Sequence, residues 1–387
     1  MSQTGLLASE EGARVDFARM RGQRRQRLLE AMAAHDLDAL ILGRPANVRY
    51  TSGARQLWTS GSRPFAPACV IVRASGAVHL LSVWNEGVPP DIPDDHLFGL
   101  SWNPARIMQS LAAISGLAEA QRIGTDGLTP LFADLFAATW PSAQIADGRP
   151  AVRLARRSKT PDELACIVTA TTAAEAGLAA VLDVLASSSP DVSEREVTGV
   201  FAERVALLGV PLMASEGVAC ATEQRGPVRL RRVPSDRVVT PGQLVTLDAG
   251  VMYAGYEGGL ARTCTAGGHA SGGRRQDRRL AARCWRAVDS LMAQCRAGRS
   301  GGDLSAAWRD TGEPAAAIAL AYGVGLGAEA PLIGSVRGHD AVLQSGDVLA
   351  VQAWVQEEGV GGFLARDLIV VRDGAPEVLS RFTRAPD

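Results

Sequence analysis

Residues 242–265 read GQLVTLDAGVMYAGYEGGLARTCT. The stretch predicts two β-strands joined by a short turn. Val245, Leu247 and Val251 are strand formers, and Tyr253-Ala254-Gly255-Tyr256 carries the reversal. Asp248 lies inside the otherwise apolar first strand. A carboxylate there needs a cation, a donor or a proton, which makes Asp248 a candidate site residue. Period-two alternation puts Glu257, Gly259 and Ala261 on one face of the second strand.

The pattern returns over residues 346–366 as GDVLAVQAWVQEEGVGGFLAR. The copies align without a gap, Gly242 on Gly346 and Leu260-Ala261-Arg262 on Leu364-Ala365-Arg366. Asp248 then matches Gln352, and Gly255 matches Gly359. A repeat at this spacing predicts two similar halves about a pseudo-twofold axis, with two strand pairs enclosing a central cleft.

The repeat carries a family resemblance. Asp248, Gly250, Gly255, Tyr256, Arg262 and Thr263 match a D-x-G strand followed by G-Y-x-x-D-x-x-R-T. This resembles the pita-bread fold of methionine aminopeptidases, prolidases, Xaa-Pro aminopeptidases and creatinases. The resemblance implies an α/β amino-terminal domain over residues 1–155 and an α+β pita-bread domain over residues 156–387. The amino-terminal part agrees: strands at 38–43, 69–83 and 121–124 alternate with helical patterns at 15–34, 104–114 and 128–138. Residues 45–68 between them read as loop. In the second domain, helices are expected at 162–185, 193–208, 277–296 and 303–321.

The metallopeptidases of this fold hold two divalent cations with two Asp, one His and two Glu. Residue by residue, these positions fall on Asp248, Gly259, Val324, Gln352 and Arg366. One ligand of the set remains and one replacement is cationic, so the expectation is no metal and no cofactor. The metal-free creatinases use a histidine that aligns with Arg231 and an acid that aligns with Ala261. Their chemistry does not transfer either.

What the resemblance leaves in the cleft is Asp248, Glu257 and Arg366 as candidate catalytic residues. Either Asp248 and Arg366 form an ion pair in place of the metal, or a carboxylate acts as acid or base beside a guanidinium. Candidate substrate-binding residues are Arg231, which could hold a carboxylate, Arg262, Gln352, and Trp354, whose ring would fill or reshape the cleft. His339 is either a site residue or a solvated loop histidine. Arg55 and Trp58 resemble residues that, in creatinase-like homodimers, close the partner's cleft. Two functions follow. One is a metal-independent hydrolase or lyase acting on a small C–N compound. The other is an inactive pita-bread protein used for binding or regulation.

The bulk composition narrows the setting. The chain has 387 residues, 47% of them apolar, and a formal charge of −1, which offers no case for nucleic acid or an anionic membrane. No apolar run is expected to approach membrane-spanning length, and the first ten residues lack a signal core. Six scattered cysteines without a C-x-x-C suit a reducing, cytoplasmic setting.

Overall fold

The computed structural model describes residues 15–384 except 55–65, 83, 84, 86, 100, 102, 187–190, 211, 216, 224–227 and 268–273. It divides into two compact units, residues 1–162 and 163–387.

The first unit runs α1 (Phe17–Ala34), β1 (Ala39–Leu42), α2 (Pro45–Ser52), β2 (Cys69–Val72), β3 (Val78–Leu81), β4 (Leu97–Phe98), α3 (Pro104–Ala112), β5 (Arg122–Thr125), α4 (Pro130–Thr139), β6 (Gln144–Asp147) and α5 (Arg149–Arg157). Its six strands form a mixed sheet in the order β4-β3-β2-β1-β5-β6. The apolar runs ALIL of β1 and CVIV of β2 are buried at every residue, as central strands require. Helix α2 corrects the loop expected at 45–68. Pro45 starts it, and Gly53, at φ 75°, ends it. Its eight residues are too few for a periodic signal. Tertiary contacts hold them, among them a hydrogen bond from the Tyr50 hydroxyl to the Ala155 carbonyl at 2.7 Å. Arg55 and Trp58 lie outside the described residues.

The second part of the chain contains α6 (Pro161–Leu185), α7 (Glu194–Leu207), β7 (Ala219–Ala221), β8 (Leu244–Tyr253), β9 (Tyr256–Thr265), α8 (Arg275–Met292), α9 (Gly301–Asp310), β10 (Ala321–Gly325), β11 (Gly327–Ile333), β12 (Val348–Glu357), β13 (Gly361–Val370) and β14 (Glu377–Val378). The strands form one antiparallel sheet, β11-β10-β12-β13-β9-β8-β7, with β14 added to β13. β10 and β11 also touch β9, although β12 and β13 intervene, so the sheet curls round on itself.

Helices α8 and α9 cover one face of this sheet. Leu280, Cys284, Val288, Leu291, Leu304 and Trp308 pack there against Leu349, Val351, Ala353, Phe363, Ala365 and Ile369. Helix α9 stops at Asp310, short of the expected 321, because Gly312, at φ 77°, and Pro314 follow it. Helix α6 corrects a second expectation. By length and composition alone its 25 residues could cross a membrane. Here it is a core helix: Ile167, Ala170, Ala174, Leu178 and Val181 are buried, and Gly258 of β9 lets it approach closely.

The two hairpins of the repeat differ in their turns. β8 and β9 join through the two residues Ala254 and Gly255, with Tyr253 opposite Tyr256 and both turn residues at positive φ, 48° and 83°. β12 and β13 join through the three residues 358–360, with Glu357 opposite Gly361. The second hairpin is therefore shifted by one residue relative to the first.

Candidate active site

Four residues form a row across the face opposite α8 and α9: Asp248 lies opposite Ala261, Ala261 opposite Arg366, and Arg366 opposite Gln352. Directly paired residues of antiparallel strands share a face. Ala261 is small, so the Arg366 side chain passes over it and places Nη2 2.6 Å from Asp248 Oδ1. Arg232 reaches the other oxygen, Oδ2, from the loop before β8, at 3.2 Å. Asp248 and Arg366 are buried, while the Arg232 side chain is 50% exposed. The carboxylate is thus clamped between a buried guanidinium and one at the rim.

Glu257 and Tyr322 complete the charged group. Glu257 is half-buried on β9, on the face shared with Gly259 and Ala261. Burial pushes its carboxyl above the usual range, and the negative charges of Asp248 and Glu329 add to this, against the pull of Arg366. Tyr322 pairs with Ala350 on β12 and so shares the face of Gln352. Burial also raises its phenol, with Glu257 and Asp248 adding and Arg366 opposing. Burial alone would lower Arg366; the charges of Asp248, Tyr322 and Glu257 overcome it and hold the guanidinium above its ordinary value. Glu329 on β11 accepts from the Leu326 N–H at 3.0 Å.

Beside the row, Trp354 is buried with Ala261, Leu364 and Val228, and Leu230 and Ile318 pack against this cluster. Its ring lies against Gly362, where a side chain would collide with it. Trp354 is therefore apolar filling at one end of the face, held by a hydrogen bond from Nε1 to Gln356 Oε1 at 3.2 Å.

Three candidates sit elsewhere. Arg231 binds Glu194 through two nitrogens, at 2.7 and 2.8 Å. Burial pushes Glu194 up, but Arg231 and Ser235 hold it below the usual carboxylate range. Arg231 thus anchors its loop, and the neighbouring Arg232 faces Asp248. Arg262 lies on the helix-covered face, stacked on Trp285 with the guanidinium carbon 5.1 Å from the ring centroid. Its donors go to Asp367 at 2.7 Å and to the carbonyls of Ala261, Arg366, Phe382 and Thr383, which leaves none for a substrate. His339 is exposed, with Nε2 3.2 Å from the Ser335 carbonyl. Arg232, Tyr322 and Glu329 were not among the sequence candidates. Only Tyr322 had a usable signal, since it sits two residues before Val324 on the same strand and period-two alternation puts both on one face.

The geometry has counterparts in known proteins. Residues 165–373 match the profile of metallopeptidase family M24, and residues 24–157 match the creatinase/prolidase N-terminal domain. The chain belongs to metallopeptidase family M24. Solved structures of similar fold include a Pyrococcus horikoshii prolidase, at 18% identity and TM-score 0.75, covering 94% of this chain and 99% of that one. A Bacillus anthracis Xaa-Pro dipeptidase aligns at 20% identity and TM-score 0.76, with 94% and 99% covered. A Thermotoga maritima X-Pro aminopeptidase aligns at 17% and 0.75, with 93% and 98% covered. In this M24 chain the residues do not fit the divalent cation pair of the metallopeptidases. A side chain at Gly259 would press on the Ala249 carbonyl oxygen and lie 2.8 Å from the Gly250 Cα. Val324 has no donor atom, the Gln352 amide carries no charge, and Arg366 brings a positive charge against Asp248. Among the described residues, no group of three His, Cys, Asp or Glu could hold a metal ion.

Proposed function

We propose that this M24 chain is a metal-independent hydrolase or lyase that cleaves a C–N bond in a small metabolite. The carrying observation is the Asp248–Arg366 ion pair beside Glu257, a carboxyl group that burial favours in its protonated form. In hydrolysis water adds to the carbon and gives its proton to solvent. In elimination the neighbouring carbon gives up a proton to solvent and forms the double bond. In either case the electron pair of the breaking C–N bond goes to nitrogen and Glu257 supplies the proton there, as a general acid does. Arg366, aligned by Asp248, offers fixed positive charge to the oxygen that becomes negative as water adds, or to the carbon that becomes negative as its proton leaves. Arg232, exposed on one side, holds an anionic group of the substrate. Asp248 acts as a positioning residue, since both its oxygens already meet guanidinium groups.

The test is release of ammonia or amine from a panel of small amides and amidines, using protein dialysed against a chelator and checked by elemental analysis. Turnover that persists without metal and is lost in Glu257→Gln supports the reading. Turnover that appears only on adding Mn²⁺ overturns the metal-independent part. A second reading, a binding module without catalysis, is favoured by Trp354, whose buried ring fills one end of the face. It gains ground if a captured ligand is returned unchanged. We also propose a cytoplasmic homodimer, to be checked by light scattering at micromolar concentration.

A further inference from the structure

One polar atom beside the ion pair is left over by the fold. Gln352 is 2% exposed, and its Oε1 has no hydrogen-bond partner among the described residues. The orientation of the amide is set by its surroundings. Nε2 donates to the Ala319 carbonyl at 2.9 Å, and a carbonyl oxygen can only accept. The backbone N–H of Gln352 goes to the Leu320 carbonyl at 2.9 Å. The oxygen is therefore the free end, and buried polar atoms in native folds nearly always have partners. Its cross-strand neighbour Arg366 is turned to Asp248, and the indole N–H of Trp354 goes to Gln356. A carboxylate at this position would face the Ala319 oxygen without a donor between them. The position suits an amide that gives one hydrogen bond to the wall and keeps an acceptor in reserve.

We infer that Gln352 Oε1 accepts an N–H of the substrate, so that the substrate carries an N–H-bearing group, such as a primary amide, together with an anionic group for Arg232. This rests on reading the face as a small-molecule site. The probes are malonamate and monomethyl malonate. Both carry one carboxylate and have similar shape, but only malonamate carries N–H donors. Binding to the full chain is measured by calorimetry or ligand-detected NMR. Malonamate is expected to bind about tenfold more tightly, the effect of one hydrogen bond to an otherwise unpaired buried acceptor. Gln352→Met removes the preference, and Gln352→Asn, which withdraws the amide by one methylene, reduces it. Arg232→Ala weakens both probes alike. Equal affinity for the two probes, a preference that survives in Gln352→Met, or no binding of either overturns the inference. The wild-type comparison decides even where a variant fails to fold. Selective binding without turnover of any panel compound removes the enzymatic reading and keeps this one. Turnover without selectivity does the reverse.

Discussion

The β8–β9 and β12–β13 hairpins carry the same Leu-Ala-Arg segment, yet their arginines face opposite ways. Arg262 is buried under α8, with its ion-pair partner Asp367 on β13. Arg366 lies on the other face, paired with Asp248. The cause is the extra residue in the second turn. Because side chains alternate along a strand, a shift of one residue moves each to the other face. One arginine became a structural clamp with its donors satisfied by the chain. Its repeat mate became the central charge of the candidate active site.

The largest test of this comparison is the spacing between the turn and Arg366. Deleting Leu364 shortens that spacing by one residue. With the turn kept, it would drive Arg366 toward the helical core and turn Ala365 and Ile369 out of it. Loss of the cooperative thermal transition by circular dichroism is expected. A stably folded deletion variant would remove the register argument.

The two ion pairs come next. Arg262→Met strands Asp367 and several carbonyls, and should cost about 3–5 kcal/mol in a denaturant melt. Asp248→Asn leaves Arg366 buried without its charge partner and should cost a similar amount, about 3–5 kcal/mol. Arg366→Met should cost less, because Arg232 still meets Asp248. Adding Arg366→Met to Asp248→Asn should recover much of the loss. No recovery in the double variant would mean the two residues are not coupled.

Glu257 sharpens the contrast, since in the proposed function it is the general acid on the face of Arg366. Glu257→Gln should lower turnover by roughly 10²–10⁴. Stability should respond with a definite sign. The folded carboxyl titrates above its ordinary 4.5, so the folded state holds its proton longer than the unfolded state. Wild-type stability relative to Glu257→Gln therefore falls as pH rises from the ordinary carboxylate range through the raised folded value, and levels off above it. Paired melts across that range measure this, and parallel curves would show an unshifted carboxyl.

The smallest effect lies in the first turn. Ala254 holds φ 48°, a region that disfavours side chains. Ala254→Gly should stabilise the protein by about 0.5 kcal/mol without changing the register. A loss of stability would mean that the Ala254 methyl makes contacts that matter.

Much of this protein was legible in its residues. The apolar run around Asp248 located the first central strand, because a strand covered on both faces is apolar nearly throughout. The gapless repeat predicted two similar hairpins. Gly259, Val324 and Arg366, at the positions the resemblance gives to ligands, carried the expectation of no metal, since ligand chemistry depends on residue type. Facing is different, because it depends on counting residues through a turn whose length changes the pairing but not the alignment. Only the tertiary structure could separate Arg366 from Arg262. It also decided between Arg231 and Arg232, adjacent in the chain, where the pull of Glu194 on one turns the other to Asp248. It alone brought Tyr322 and Glu329 to Glu257, because that meeting depends on the curl of the sheet and not on any spacing along the chain.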